Sequence, residues 1–204
     1  MLFSPFRQLS LLVLAAAPGL ALAEPISAKG YTAGCGEEGC FIASGGYLLF
    51  ASSAVSDPDL LAGLAELPLI SAVAFDGDMT NVGDSTADLA LTAVSRIEDD
   101  LYEGNLQAMQ GEWTVPGAGT PFIVNVSGMV WQEIVQDEVV ATFALSVGEE
   151  CANGVVPGGM AIVLYKLGDD PDADACWQVE YVDEATMVLR DFFGDLGQIE
   201  WVRP

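Results

Sequence analysis

Val139-Val140-Ala141-Thr142-Phe143-Ala144-Leu145-Ser146-Val147 decides the fold class. Val139, Ala141, Phe143, Leu145 and Val147 share one parity, and Thr142 and Ser146 fall on the other. A period of two with one apolar face belongs to a half-buried β-strand. The same texture continues on both sides. Phe122, Val124 and Val126 oppose Asn125 and Ser127, and Trp177, Val179 and Tyr181 alternate with Gln178 and Glu180. Ile162 to Leu167, Met187 to Phe192 and Gln198 to Arg203 are further strand-like runs. Turn residues separate them: Pro116-Gly117, Asp137-Glu138, Pro157-Gly158-Gly159, Asp169-Asp170-Pro171, Asp183-Glu184 and Gly194 to Gly197. Gly111 to Pro204 therefore predicts seven or eight closely spaced strands, the pattern of an antiparallel sandwich or small closed barrel.

The preceding segment, residues 24–104, reads differently. Glu24 to Cys40 is rich in Gly and small residues and predicts an irregular lead-in. Phe41 to Phe50, broken by Gly45-Gly46, predicts two short strands around a turn. Asp57 followed by Pro58 and Asp59 predicts a capped helix start, with Leu60, Leu61, Leu64 and Leu67 on its apolar face and Pro68 at its end. Leu69 to Phe75 and Thr86 to Ile97 read as strands, and Asp76-Gly77 as a hairpin turn. Glu98 to Gln110 predicts a short helix interrupted at Gly104. The overall expectation is α+β, mainly antiparallel β. A barrel or sandwich over residues 105–204 follows a disulfide-pinned mixed α/β segment over residues 24–104.

Residues 1–23 have the layout of a cleaved signal peptide: Arg7, an apolar core from Leu9 to Ala17, a Pro18-Gly19 break and Ala21-Leu22-Ala23 before Glu24. The apolar run is shorter than a bilayer span requires. The mature chain is expected to be exported, periplasmic or extracellular, with no stable membrane anchoring. It carries thirty acidic residues against five basic ones, a net charge of −25, and the whole 204-residue chain has no histidine. Such a chain repels nucleic-acid phosphate. It also lacks Ser-His-Asp triads, Cys-His pairs and His-ligated metal centres.

In an oxidising compartment the four cysteines predict two disulfides among three pairings, the simplest being Cys35–Cys40 and Cys151–Cys176. Glu37 and Glu38 would raise the pKa of the first pair, which argues against redox chemistry.

Leu106 to Trp113 reads L-Q-A-M-Q-G-E-W, a helical turn leading into G-x-W at the first strand, and the chain stops just after Arg203. This resembles the lipocalin and calycin superfamily, in particular small barrels of exported bacterial proteins, over residues 106–204. The resemblance implies that Trp113 closes one end of the barrel and that Arg203 packs over it, with Arg190 as second choice. A narrower similarity is to exported bacterial inhibitors of metalloproteases, which are small calycin-like barrels with G-x-W and a disulfide.

Trp131, Phe143, Tyr165, Trp177 and Tyr181 are candidates to line a pocket for an apolar ligand; alternatively they fill a solid core. Asp170, Asp172 and Asp174 are spaced like the opening of a Ca²⁺ loop, but Ala175 stands where that loop needs Gly and Tyr181 where it needs Glu. No nucleotide or nucleophile-elbow motif is present, so no cofactor and no catalytic residue is assigned. The functional expectation is an exported acidic binding module for a small apolar ligand. The alternatives are a protein-interaction module, such as a protease inhibitor or envelope factor, and a carboxylate-based hydrolase.

Overall fold

A computed structural model describes residues 23–117, 122–151, 154–155, 159–168, 175–191 and 197–204. The signal-peptide stretch 1–22 and the Asp170, Asp172, Asp174 cluster lie outside these residues. The chain is mainly antiparallel β, organised as two closed barrels.

The first barrel holds β1 (Glu24–Gly36), β2 (Gly39–Ser44), β3 (Tyr47–Ser52), β4 (Ala72–Thr80) and β5 (Thr86–Arg96). Its order is β1-β2-β3-β5-β4, with only β3 and β5 parallel. Helix α1 (Pro58–Glu66) lies between β3 and β4. Helix α1 thus connects two strands that are not neighbours, since β3 pairs with β2 and β5 and β4 with β1 and β5. The segment expected to be mixed α/β is thus itself a barrel. Its core joins Ile42, Leu49, Phe75, Leu89 and Leu91 to Leu61 and Leu64 of α1. The start of α1 follows its sequence signals: the Asp57 carboxylate accepts the Asp59 N–H at 2.9 Å, and Pro58 takes the first turn.

Two expectations for this half are corrected. Residues 24–36, expected to be irregular, form the long strand β1, because they pair with β4 over Glu24–Tyr31 and with β2 over Tyr31–Gly36. Asp76-Gly77, expected to turn a hairpin, lies within β4 at a bulge in its pairing with β5. A Cβ on Gly77 would fall 2.6 Å from the Ala90 carbonyl, so glycine permits the close approach. The Cys35–Cys40 disulfide bridges the β1–β2 hairpin.

Helix α2 (Glu103–Ala108) then leads into the second barrel, and is shorter than the sequence suggested. That barrel runs β6 (Gly111–Thr114), β7 (Phe122–Ser127), β8 (Val130–Val135), β9 (Glu138–Gly148), β12 (Met160–Lys166), β13 (Ala175–Val182), β14 (Thr186–Asp191) and β15 (Gln198–Val202). Each strand pairs with the next, and β15 closes on β6. It is an antiparallel up-and-down barrel of eight strands. The short β10 (Glu150–Cys151) and β11 (Gly154–Val155) form a separate ribbon between β9 and β12. The Cys151–Cys176 disulfide ties that ribbon to β13 and packs against Ala161 on the outside of the barrel.

The barrels share a core. Tyr31, Ala43, Ile70 and Ala72 of the first pack in one cluster with Leu106, Met109, Met129 and the interior of the second. Between them, buried Asp100 forms an ion pair with Lys29 and accepts the Tyr31 hydroxyl and the Tyr102 and Glu103 N–H groups, each at 2.9 Å. Glu103 spans the same joint, meeting Arg96 at 2.7 Å and the Ala72 N–H at 2.9 Å. Burial opposes charge on Asp100, but Lys29, the Tyr102 N–H and the Tyr31 hydroxyl outweigh it and hold its pKa below the usual carboxylate value. Burial, and then the Asp100 acceptor, raise the pKa of the Tyr31 hydroxyl.

Candidate functional site

Among the described residues, the second barrel is sealed at one end by Trp113 and Arg203 and holds a cavity towards the other. At the sealed end Trp113, fully buried, donates its indole N–H to the Met109 carbonyl at 2.7 Å. The Arg203 guanidinium carbon sits 3.8 Å from the centroid of the Trp113 ring. Arg203 also donates to the carbonyls of Ala108 (3.1 Å), Glu112 (3.4 Å) and Glu184 (3.1 Å). One guanidinium therefore binds the end of α2, the start of β6 and the β13–β14 turn. Gly111 is needed beneath it: its φ is +100°, and a Cβ there would lie 2.6 Å from Arg203 Nη1. The spacing of G-x-W follows from these contacts. Gln110 completes the seal by accepting the Gly128 N–H at 2.8 Å. Arg190, the second choice for this role, pairs instead with Glu180 on the barrel exterior.

At the opposite end lies a cavity of about 690 Å³. Its wall includes Phe122 on β7, Trp131 and Glu133 on β8, Trp177 on β13, and Ile199 and Trp201 on β15. Strand alternation puts Trp131 and Glu133 on one face of β8, and Ile199 and Trp201 on one face of β15. Register brings these faces together, with Trp131 opposite Val126 and Phe143, and Trp201 opposite Met187. The Trp131 and Trp201 rings meet edge to face at 6.1 Å, and Phe122 lies 5.7 Å from Trp201. Among the described residues the buried indole N–H of Trp201 has no hydrogen-bond partner, and that of Trp131 is turned towards the Glu133 carboxyl without reaching full hydrogen-bond geometry.

Among the described residues Glu133 is the one carboxyl set among these rings on an inward-facing strand position. Its burial pushes its pKa up, against the opposing pull of the Trp131 N–H and the Lys166 ammonium. A carboxylate in such a wall is held at a cost, because the apolar surroundings return less than the lost water gave.

Of the five candidate lining residues, Trp131 and Trp177 reach the cavity. Phe143 lies in the barrel core beside Trp131. Tyr165 has the outward parity of β12 and packs against Gly46 of the first barrel. Tyr181 is half exposed and donates its hydroxyl to Asp183. Both tyrosines stand outside the cavity, which periodicity alone could not show without the register of β12 and the bulge at Val179–Tyr181. Sequence reasoning missed Glu133 as a lining residue. The signal for Glu133 was its parity: it follows Trp131 by two in an alternating strand. Among the described residues no group of His, Cys, Asp and Glu is placed to hold a metal. Comparison with protein-family profiles, curated proteins and solved structures finds no significant match to this chain.

Proposed function

We propose that the chain is an exported binding module whose calycin-like second barrel holds a small ligand with an apolar body. The observation that carries this reading is the aromatic cavity of about 690 Å³ in a barrel sealed at its other end by Arg203. Ligand pockets typically measure ~300–1,000 Å³ and are walled by apolar and aromatic side chains with few polar groups. The Trp113–Arg203 stack and Gly111 support the calycin likeness, because they give G-x-W and the C-terminal Arg the sealing role that the likeness implies. Two disulfides suit an oxidising compartment and so favour export.

Native mass spectrometry of residues 24–204, recovered from an oxidising compartment, tests the proposal. The expected spectrum shows a mass above the oxidised chain that disappears on denaturation. A bare chain that also fails to bind any apolar, anionic or cationic probe, followed by indole fluorescence, would remove the binding reading.

A further inference from the structure

The polar lining of the cavity says which kind of ligand suits it. None of its lining residues is basic, Glu133 sets a carboxyl on the inward face of the wall, and burial outweighs the pull of the Lys166 ammonium on that carboxyl. Its aromatic wall comprises three indoles and one phenyl ring. Aromatic faces attract cations through their quadrupole, most strongly for Trp and when water is displaced. The chain carries a net charge of −24, so an approaching anion is repelled and a cation is drawn in. These features converge on one chemistry.

We infer, resting on the binding reading above, that the cavity takes an organic ammonium ion with an apolar body. Its charged head lies against Glu133 and the indoles of Trp131 and Trp177. Its apolar body lies against Phe122, Ile199 and Trp201. The half-buried position of Glu133 fits this role. Burial leaves its anion short of the stabilisation that water would provide. A bound ammonium supplies it inside the same low-dielectric wall, where the attraction is stronger than in water.

The test compares three probes on the disulfide-bonded mature chain at pH 7.5, read by indole fluorescence and calorimetry. The probes are butyrylcholine, its uncharged carbon analogue 3,3-dimethylbutyl butyrate, and hexanoate. The expected result is saturable binding of butyrylcholine at least about tenfold tighter than the neutral analogue, a difference of ~1.4 kcal/mol. Glu133→Gln should reduce that ratio to about threefold or less. Trp177→Leu should reduce it independently. Circular dichroism and thermal unfolding check that each variant keeps its fold. Equal binding of the neutral and charged esters, or a preference unaffected by Glu133→Gln, would overturn the ammonium assignment and leave the binding reading standing. Tighter binding of hexanoate would do the same. If no probe binds, the binding reading itself falls, and this inference falls with it.

Discussion

Arg203 lies flat against Trp113 and at the same time donates to the backbone of three separate segments. The stack joins the first strand of the second barrel to the residue just after its last, and among the described residues a single backbone pair, Val202 with Thr114, links those strands. With so little ladder at this seam, the side-chain stack carries much of the closure. Arg203→Ala should lower unfolding stability by about 2–4 kcal/mol, combining a buried cation–π contact with charge-assisted hydrogen bonds. Arg203→Lys should recover less than half of that, since an ammonium cannot both lie flat on the ring and span three carbonyls. Urea unfolding of the three proteins checks both values. Equal stability of Arg203→Ala and the parent chain would contradict a sealing role.

Asp100 makes acid stability depend on the joint between the barrels. Its folded pKa lies below the ordinary carboxylate value. The stabilisation is therefore fully present above the unfolded value of about 3.9, and it is lost as pH falls through the lower folded value. Asp100→Asn should cost about 2 kcal/mol at pH 7, from weakened charge-assisted contacts. The variant should also lose less stability than the parent between pH 5 and the acid limit. Urea midpoints collected across that range would show parallel curves if Asp100 were indifferent.

Glu133 should act with the opposite sign. Its folded pKa is raised by burial. The protonated form is favoured in the folded chain, so stability declines as pH rises from the unfolded value of about 4.3 through the folded one. Glu133→Gln removes that decline, and the variant should be more stable than the parent at pH 7 while matching it at low pH. A variant less stable at neutral pH would mean that Lys166 and Trp131 more than offset the burial of the anion.

Cys151 and Cys176 are 25 residues apart, and Cys35 and Cys40 are 5 apart. Loop-closure entropy assigns about 3.5 kcal/mol to the longer bridge and about 2 kcal/mol to the shorter. Removing each pair as a double Ala variant should therefore destabilise the chain more at Cys151–Cys176. Thermal melts that reverse this order would place the difference in native packing, where Cys151 and Cys176 meet Ala161, and not in the unfolded chain.

The strands of the second barrel were legible because their determinants are local. Val139 to Val147 repeats every two residues, and its neighbours on either side do the same. The seal was expected only through the calycin resemblance of G-x-W and Arg203; Gly111 leaves room for the Arg203 guanidinium, which stacks on Trp113. Strand β1 was hidden because most of its length, Glu24 to Tyr31, pairs with the distant Ala72 to Met79, and only its end meets the adjacent arm of its own hairpin, Gly39 to Ala43. Gly77 was misread because a glycine at a bulge and a glycine at a turn look alike without the Ala90 carbonyl beside it. The cavity was half legible. Parity places Trp131 and Trp177 inward, but whether opposing aromatics meet or leave space depends on register, which brings Trp201 and Glu133 to the same wall.

Arg203 stoppers the barrel at the end away from Phe122, so ligand traffic past Arg203 is blocked and falls to the Phe122 side. A change at that mouth should speed or slow arrival and departure together and leave affinity nearly untouched. A change on the wall, at Glu133 or Trp177, should act on departure alone. The two kinds of substitution would then separate in stopped-flow traces before any equilibrium constant is measured.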